Sequence, residues 1–177
     1  MSETYEFGGA ETHIEVHKFF PGAVAIVAAI ALILQATAPV YFPWFRILDL
    51  PLLITIYFGL SRRNPSTGLL LGMVIGLLQD SLSGPTVPLG FYGIAKTCIG
   101  FLASSIGARL DTEHPAARFA LIMGFFVTHQ AILVLIRRLL LAQPESWVNW
   151  HLVIAAAVNA VLGTILFLLL DRLRRRS

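Results

Sequence analysis

The chain has 177 residues, of which 56% are hydrophobic and only 13% charged, and it carries a formal net charge of +3. With a mean hydropathy of +0.77, this balance lies well away from that of soluble domains and leaves a polytopic membrane protein as the reading. A single cysteine, Cys98, excludes an internal disulfide or a cysteine metal cluster. Within its apolar run it is expected to be a small buried hydrophobe.

Residues 1–18 form a polar tail with Glu3, Glu6, Glu11 and Glu15. His13 and His17 are four apart and could share a helical face, but with no HExxH pattern or third ligand beside them no metal site is expected. Residues 19–171 read as one transmembrane helix-bundle domain, all-α, with about six transmembrane helices of about 20 residues each. Residues 172–177 close the chain as a basic tail.

The first apolar run, Phe20 to Pro39, contains Ala36-Thr37-Ala38, which imitates a signal-peptide cleavage site. The acidic residues before it, and Pro39 at the first position after the cut, favour an uncleaved helix. The second run, Ile47 to Leu60, carries Asp49 and Pro51 at its start and ends in the tight turn Ser61-Arg62-Arg63-Asn64-Pro65. The third, Thr67 to Ser83, places Gly68, Gly72, Gly76, Asp80 and Gly84 at intervals of four. Gly84-Pro85-Thr86 then allows only a hairpin into the fourth run, Val87 to Gly107. The fifth extends from about Ala117 to Leu141 and the sixth from about Trp150 to Leu170.

Lysine and arginine counts in the short loops orient the bundle. With both termini cytoplasmic, that side holds Lys18, Arg62, Arg63, Arg109, Arg118, Arg172, Arg174, Arg175 and Arg176, nine of the thirteen basic residues. The outer side holds Arg46, Arg137 and Arg138, together with an aromatic belt of Tyr41, Trp44, Trp147 and Trp150.

Helices in lipid associate through close backbone approach, so Gly68, Gly72 and Gly76 predict a contact face, filled either by a helix of the same chain or by a partner protein's helix. Asp80 continues this stripe toward the interface. Lys96 lies within the fourth span, where an unexplained charge costs about 2.5–3.5 kcal/mol, and Gly93 and Gly100 place it on an inward face. The depths of Asp80 and Lys96 differ by roughly 8 Å at 1.5 Å per residue, a gap that a snorkelling lysine stem can largely cover. An intramembrane ion pair between Asp80 and Lys96 is therefore expected. The other polar residues within spans, Gln35, Thr128, His129, Gln130 and Asn159, are scattered over different helices, and His129 reads as an interhelical hydrogen bonder. No phosphate-binding, nucleophile-elbow or dinucleotide motif occurs, so neither enzymatic activity nor a cofactor is expected.

The block from Gly68 to Gly90, with Gly72, Gly76, Asp80, Gly84 and Leu89, continued by Ile94-Ala-Lys96-Thr-Cys-Ile-Gly100-Phe, resembles the rod shape-determining protein MreD family. Leu48-Asp49-Leu50-Pro51-Leu52-Leu53 is similar to that family's opening of the second helix, with the order altered. The resemblance implies a non-catalytic inner-membrane scaffold of the bacterial cell-elongation machinery, which makes peptidoglycan. Its partners would be an MreC-like bitopic protein, a RodA-like glycosyltransferase with its penicillin-binding transpeptidase, and membrane lipids, with no nucleic acid. It also implies that Gly68, Gly72, Gly76, Asp80, Gly84 and Gly90 serve helix packing or partner docking. The alternative is the substrate-binding component of an energy-coupling vitamin transporter, similar in architecture, whose alanine docking motif is echoed by Ala25-x3-Ala29.

Overall fold

The computed structural model describes residues 21–62, 64–85, 87–109, 114–142 and 150–172; Trp147, Lys18, Arg63 and the polar tail with His13 and His17 lie outside them. Six α-helices follow one another: α1 (Pro21–Tyr41), α2 (Leu50–Arg62), α3 (Pro65–Leu82), α4 (Phe91–Gly107), α5 (Pro115–Leu139) and α6 (Trp150–Asp171). A 3-10 turn, Pro43–Ile47, lies between α1 and α2. Four segments are long and apolar enough to cross a bilayer: Gly22–Tyr41, Pro43–Arg62, Pro115–Leu139 and Trp150–Asp171. α3 and α4, at 18 and 17 residues, reach about 27 and 26 Å, close to the ~30 Å hydrocarbon thickness.

The bundle is wrapped around α2. Every residue from Pro51 to Leu60 is buried, and Leu52, Leu53, Ile56 and Phe58 anchor a core to which all six helices contribute. The outside is just as apolar. Ile26, Ile30 and Ile33 of α1 and Val161, Ile165 and Leu168 of α6 are exposed, as a lipid-facing surface requires, since hydrocarbon is the solvent there.

Contacts fix the direction of each helix. Gly68 of α3 meets Gly100 and Ser104 of α4, and Gly76 meets Tyr92 and Gly93, so these two helices run antiparallel. Gly59 of α2 lies against Ala103, and Gly107 against Leu60, so α2 and α4 run parallel. Arg118 at the start of α5 reaches Asp171 at the end of α6, and Tyr57 of α2 joins the same carboxylate. The order is thus up and down throughout. Arg62, Arg109, Arg118 and Arg172 gather at one end, and Arg46, Arg137 and Arg138 at the other, with Tyr41, Trp44 and Trp150.

The helix limits have local causes. Asn64 caps α3 by accepting hydrogen bonds from Ser66 and Thr67 N–H, with Pro65 in the first turn. The α3–α4 hairpin turns on Gly84 and Gly90, whose φ values of +80° and +98° lie in the left-handed region open to glycine.

The glycine stripe is occupied by α4 of the same chain. At Gly72 an added methyl would fall on the carbonyl oxygen of Lys96, and at Gly68 on Ser104 and the Gly100 carbonyl. The stripe is thus packed against a helix of the same chain. Cys98 is a correction. It is exposed, because it lies two residues from both Lys96 and Gly100 and so points away from the face they share.

The packing predicts a contrast between two glycines. Gly72→Val should force α3 and α4 apart and cost at least about 1–3 kcal/mol, whereas Gly124→Ala, where nothing lies within 4 Å, should change stability by no more than about 1 kcal/mol, in the stabilising direction. Thermal unfolding of the purified protein in detergent, together with its accumulation in membranes, measures both. Equal tolerance of the two changes would contradict the close α3–α4 contact.

Candidate functional site: a buried polar node at a broken span

The second span is interrupted inside the bundle. Pro43–Ile47 forms the 3-10 turn, Leu48 is extended (φ −85°, ψ 145°), and the α-helix restarts at Leu50. A break at membrane depth leaves backbone groups that water cannot satisfy, so each needs a partner within the protein. The backbone groups of the buried Leu48 and Asp49, with Ile47 C=O and Leu50 N–H, find one. Asn159 of α6 accepts from Asp49 N–H (3.0 Å) and donates to Ile47 C=O (2.7 Å). Gln35 of α1 donates to Leu48 C=O (3.0 Å) and accepts from Leu50 N–H (3.1 Å). Pro51 has no N–H, and Leu52 N–H donates to Asp49 Oδ1 at 2.9 Å, which makes Asp49 the cap of α2.

The second oxygen of Asp49 holds Lys96. Nζ of Lys96 lies 2.8 Å from Asp49 Oδ2, 3.4 Å from His129 Nε2 and 5.1 Å from the centroid of the Tyr92 ring. The carboxylate and the ring face each take a share of the ammonium's three N–H bonds, and the third can be met by His129 in the tautomer that leaves Nε2 unprotonated. The Tyr92 ring is also stacked on His129, with centroids 6.5 Å apart and planes 8° from parallel. Lys96, His129 and Asn159 are fully buried. Five helices therefore meet in one node: α1 through Gln35, α2 through Asp49, α4 through Tyr92 and Lys96, α5 through His129, and α6 through Asn159.

The expected Asp80–Lys96 pair does not form. Asp80 accepts from the backbone N–H groups of Gly90 (2.8 Å), Tyr92 (2.8 Å) and Gly93 (3.0 Å). The first turn of α4 has four N–H groups with no partner in the helix, and its dipole favours an anion there. Asp80 is thus committed to capping α4, one and a half turns above Lys96, while Asp49 lies alongside the lysine. Gly90 is the N-cap residue of α4, and Gly84 lies in the turn before it. Thr128 belongs to neither group; its hydroxyl donates to the Gly124 carbonyl.

Sequence reasoning missed Asp49 as the partner of the lysine, and Gln35 and Asn159 as the clamps of the break. Asp49 was read at the membrane edge because the second run was started at Ile47. The signal for a deeper position was the aromatic pair Tyr41 and Trp44 followed by Pro43 and Pro51: the interface residues precede Asp49 by five or more positions. Among the described residues no group of three or more His, Cys, Asp or Glu side chains could hold a metal ion. Two buried atoms in this region lack a hydrogen-bond partner, His129 Nδ1 and Gln79 Oε1.

The node predicts strong coupling between Asp49 and Lys96. Lys96→Met leaves a carboxylate buried without its partner and should cost about 3–5 kcal/mol. Asp49→Asn strands the ammonium at a similar cost but keeps an oxygen for Leu52 N–H. The double variant should be destabilised by less than the sum, whereas Asp80→Asn combined with Lys96→Met should be close to additive. Unfolding of the singles and doubles in detergent decides: additivity of Asp49 and Lys96 would dismantle the pair.

No curated protein and no solved structure matches the chain at a significant level. The family described as rod shape-determining protein MreD matches residues 17–173, nearly the whole length and every element of the bundle. With its six helices, apolar exterior and polar node, the chain belongs to the MreD family, multi-pass membrane proteins of rod-shape determination.

Proposed function

We propose that the protein is a non-catalytic scaffold of the bacterial inner membrane that holds an MreC-like bitopic protein within the cell-elongation machinery, beside a RodA-like glycosyltransferase and its transpeptidase. The observation that carries this reading is how the intramembrane charges are used. Asp80 is saturated by three backbone N–H groups, and Asp49 and Lys96 by each other and by a helix terminus. Groups so committed hold helices in place and are not free to turn over a substrate. The orientation that fits is the one with Arg62, Arg109, Arg118 and Arg172 toward the cytoplasm, which puts both termini there. Because the glycine stripe is filled from within, a partner's helix would lie on the lipid-facing surfaces, of which that of α1 is the most open.

The transporter-component alternative retains one supporting observation: Ala25 and Ala29 are exposed on α1 beside a groove shared with α3. A single experiment separates the two. Affinity purification of the tagged chain from mildly solubilised native membranes should recover an MreC-like protein with RodA-like and transpeptidase components. Recovery of an ATPase module, or of a bound vitamin without those proteins, would replace the scaffold by the transporter component.

A further inference from the structure

A cleft of about 420 Å³ opens between α1, the 3-10 turn, α3 and the start of α4. Its polar lining comes from Gln35, Arg46, Gln79, Ser83 and Tyr92, with one cation and no carboxylate. Two of these side chains are already used: the Gln35 amide clamps the broken span, and the Ser83 hydroxyl donates to Gln79 C=O. Arg46 and the Gln79 side chain have no hydrogen-bond or ion-pair partner among the described residues. Gln79 is only 7% exposed, and its Oε1 is sealed with no donor. An acceptor left unmet at such a site costs about 1–3 kcal/mol, and its terminal amide turns about a soft torsion, by which the oxygen can be brought toward a donor in the cleft.

On the other side of Leu32 a mostly apolar groove of about 330 Å³ lies between α1 and α3, lined by Val24, Ala28, Leu71 and Val74, with Arg62 of α2 the one charged residue of its lining. Leu32 borders both spaces. The exposed rings of Tyr41 and Trp44 stand at the same end as the cleft, as interfacial aromatics do at headgroup level. The two spaces, adjoining at Leu32, have the layout of an amphiphile: a polar chamber with an unpaired guanidinium and an unmet acceptor, beside a trench walled by small and aliphatic side chains and by Arg62.

We propose that this cleft is a binding site for an anionic phospholipid. Arg46 takes the phosphate, for which its planar fork of donors is suited, Gln79 Oε1 accepts from a headgroup hydroxyl, and an acyl chain lies in the α1–α3 groove. A headgroup bound there rests on Gln35 and Tyr92, and so directly on the clamp of the broken span and the ring beside Lys96. Occupancy would therefore brace the node as well as fill the cleft.

The test uses the purified full chain in detergent, with native mass spectrometry and thermal unfolding as readouts. The probes are phosphatidylglycerol, which has phosphate and hydroxyls, phosphatidylcholine, which has phosphate without a headgroup donor, and soluble glycerol phosphate. The wild type should prefer phosphatidylglycerol to phosphatidylcholine by about tenfold, the worth of a hydrogen bond at a charged or buried group. Gln79→Met should remove that preference, and Arg46→Gln, at an exposed position that leaves the fold intact, should weaken both phospholipids. Equal binding of the two lipids by the wild type, or an unchanged preference in both variants, overturns the proposal. Stabilisation by glycerol phosphate equal to that by the lipid overturns the lipid assignment and makes the ligand a soluble phosphate ester.

Discussion

The structure depends on one constraint: a span broken inside the membrane must have every exposed backbone group answered by protein. Asp49 stands at that break and answers in two directions, capping α2 with one oxygen and holding Lys96 with the other. Its carboxylate also lies at the positive end of the α2 dipole, so burial of a charge, capping of a helix and neutralisation of a lysine are one arrangement. Either charge alone at this depth would be costly. Together, with an imidazole and an aromatic face as further acceptors, they become the point from which the other helices take their positions.

Two amides complete the arrangement, and they act alike. Gln35 and Asn159 each use both ends of a side-chain amide to replace the hydrogen bonds that a continuous helix would have made, one from α1 and one from α6. The first and last helices are thereby tied to the start of the second. On the opposite flank glycine brings the backbones of α3 and α4 together, and Asp80 of α3 caps the start of α4. The bundle thus combines a hydrogen-bonded half around α2 with a close-packed half around the hairpin, and α4 belongs to both.

Much of the second half was legible in the sequence and little of the first. Intervals of four in Gly68, Gly72, Gly76 and Asp80 translate directly into one helical face, and a three-residue Gly-Pro-Thr connection into a hairpin, because these are local relations. The partner of Lys96 is not a local relation. It depends on where the second span begins, and a 3-10 turn of mixed character, Pro43-Trp-Phe-Arg46-Ile47, carries no strong signal that the span starts at Pro43. Once that start is displaced, Asp49 moves to the surface on paper and Asp80 becomes the nearest acid. Gln35, His129 and Asn159, separated by up to 124 positions in the chain, have no periodicity that relates them; only the packed bundle brings them to one place.

The order in which these groups emerge during synthesis has its own consequence. The Asp80 cap and the α3–α4 contact are complete as soon as the hairpin is made. Lys96 has its carboxylate by then, since Asp49 comes earlier, but His129 and Asn159 arrive only with the fifth and sixth helices. Until α6 has left the ribosome, the N–H of Asp49 and the C=O of Ile47 have no amide to receive them. A chain that stops short of α6 therefore leaves these two backbone groups at the start of its second helix without the amide that receives them.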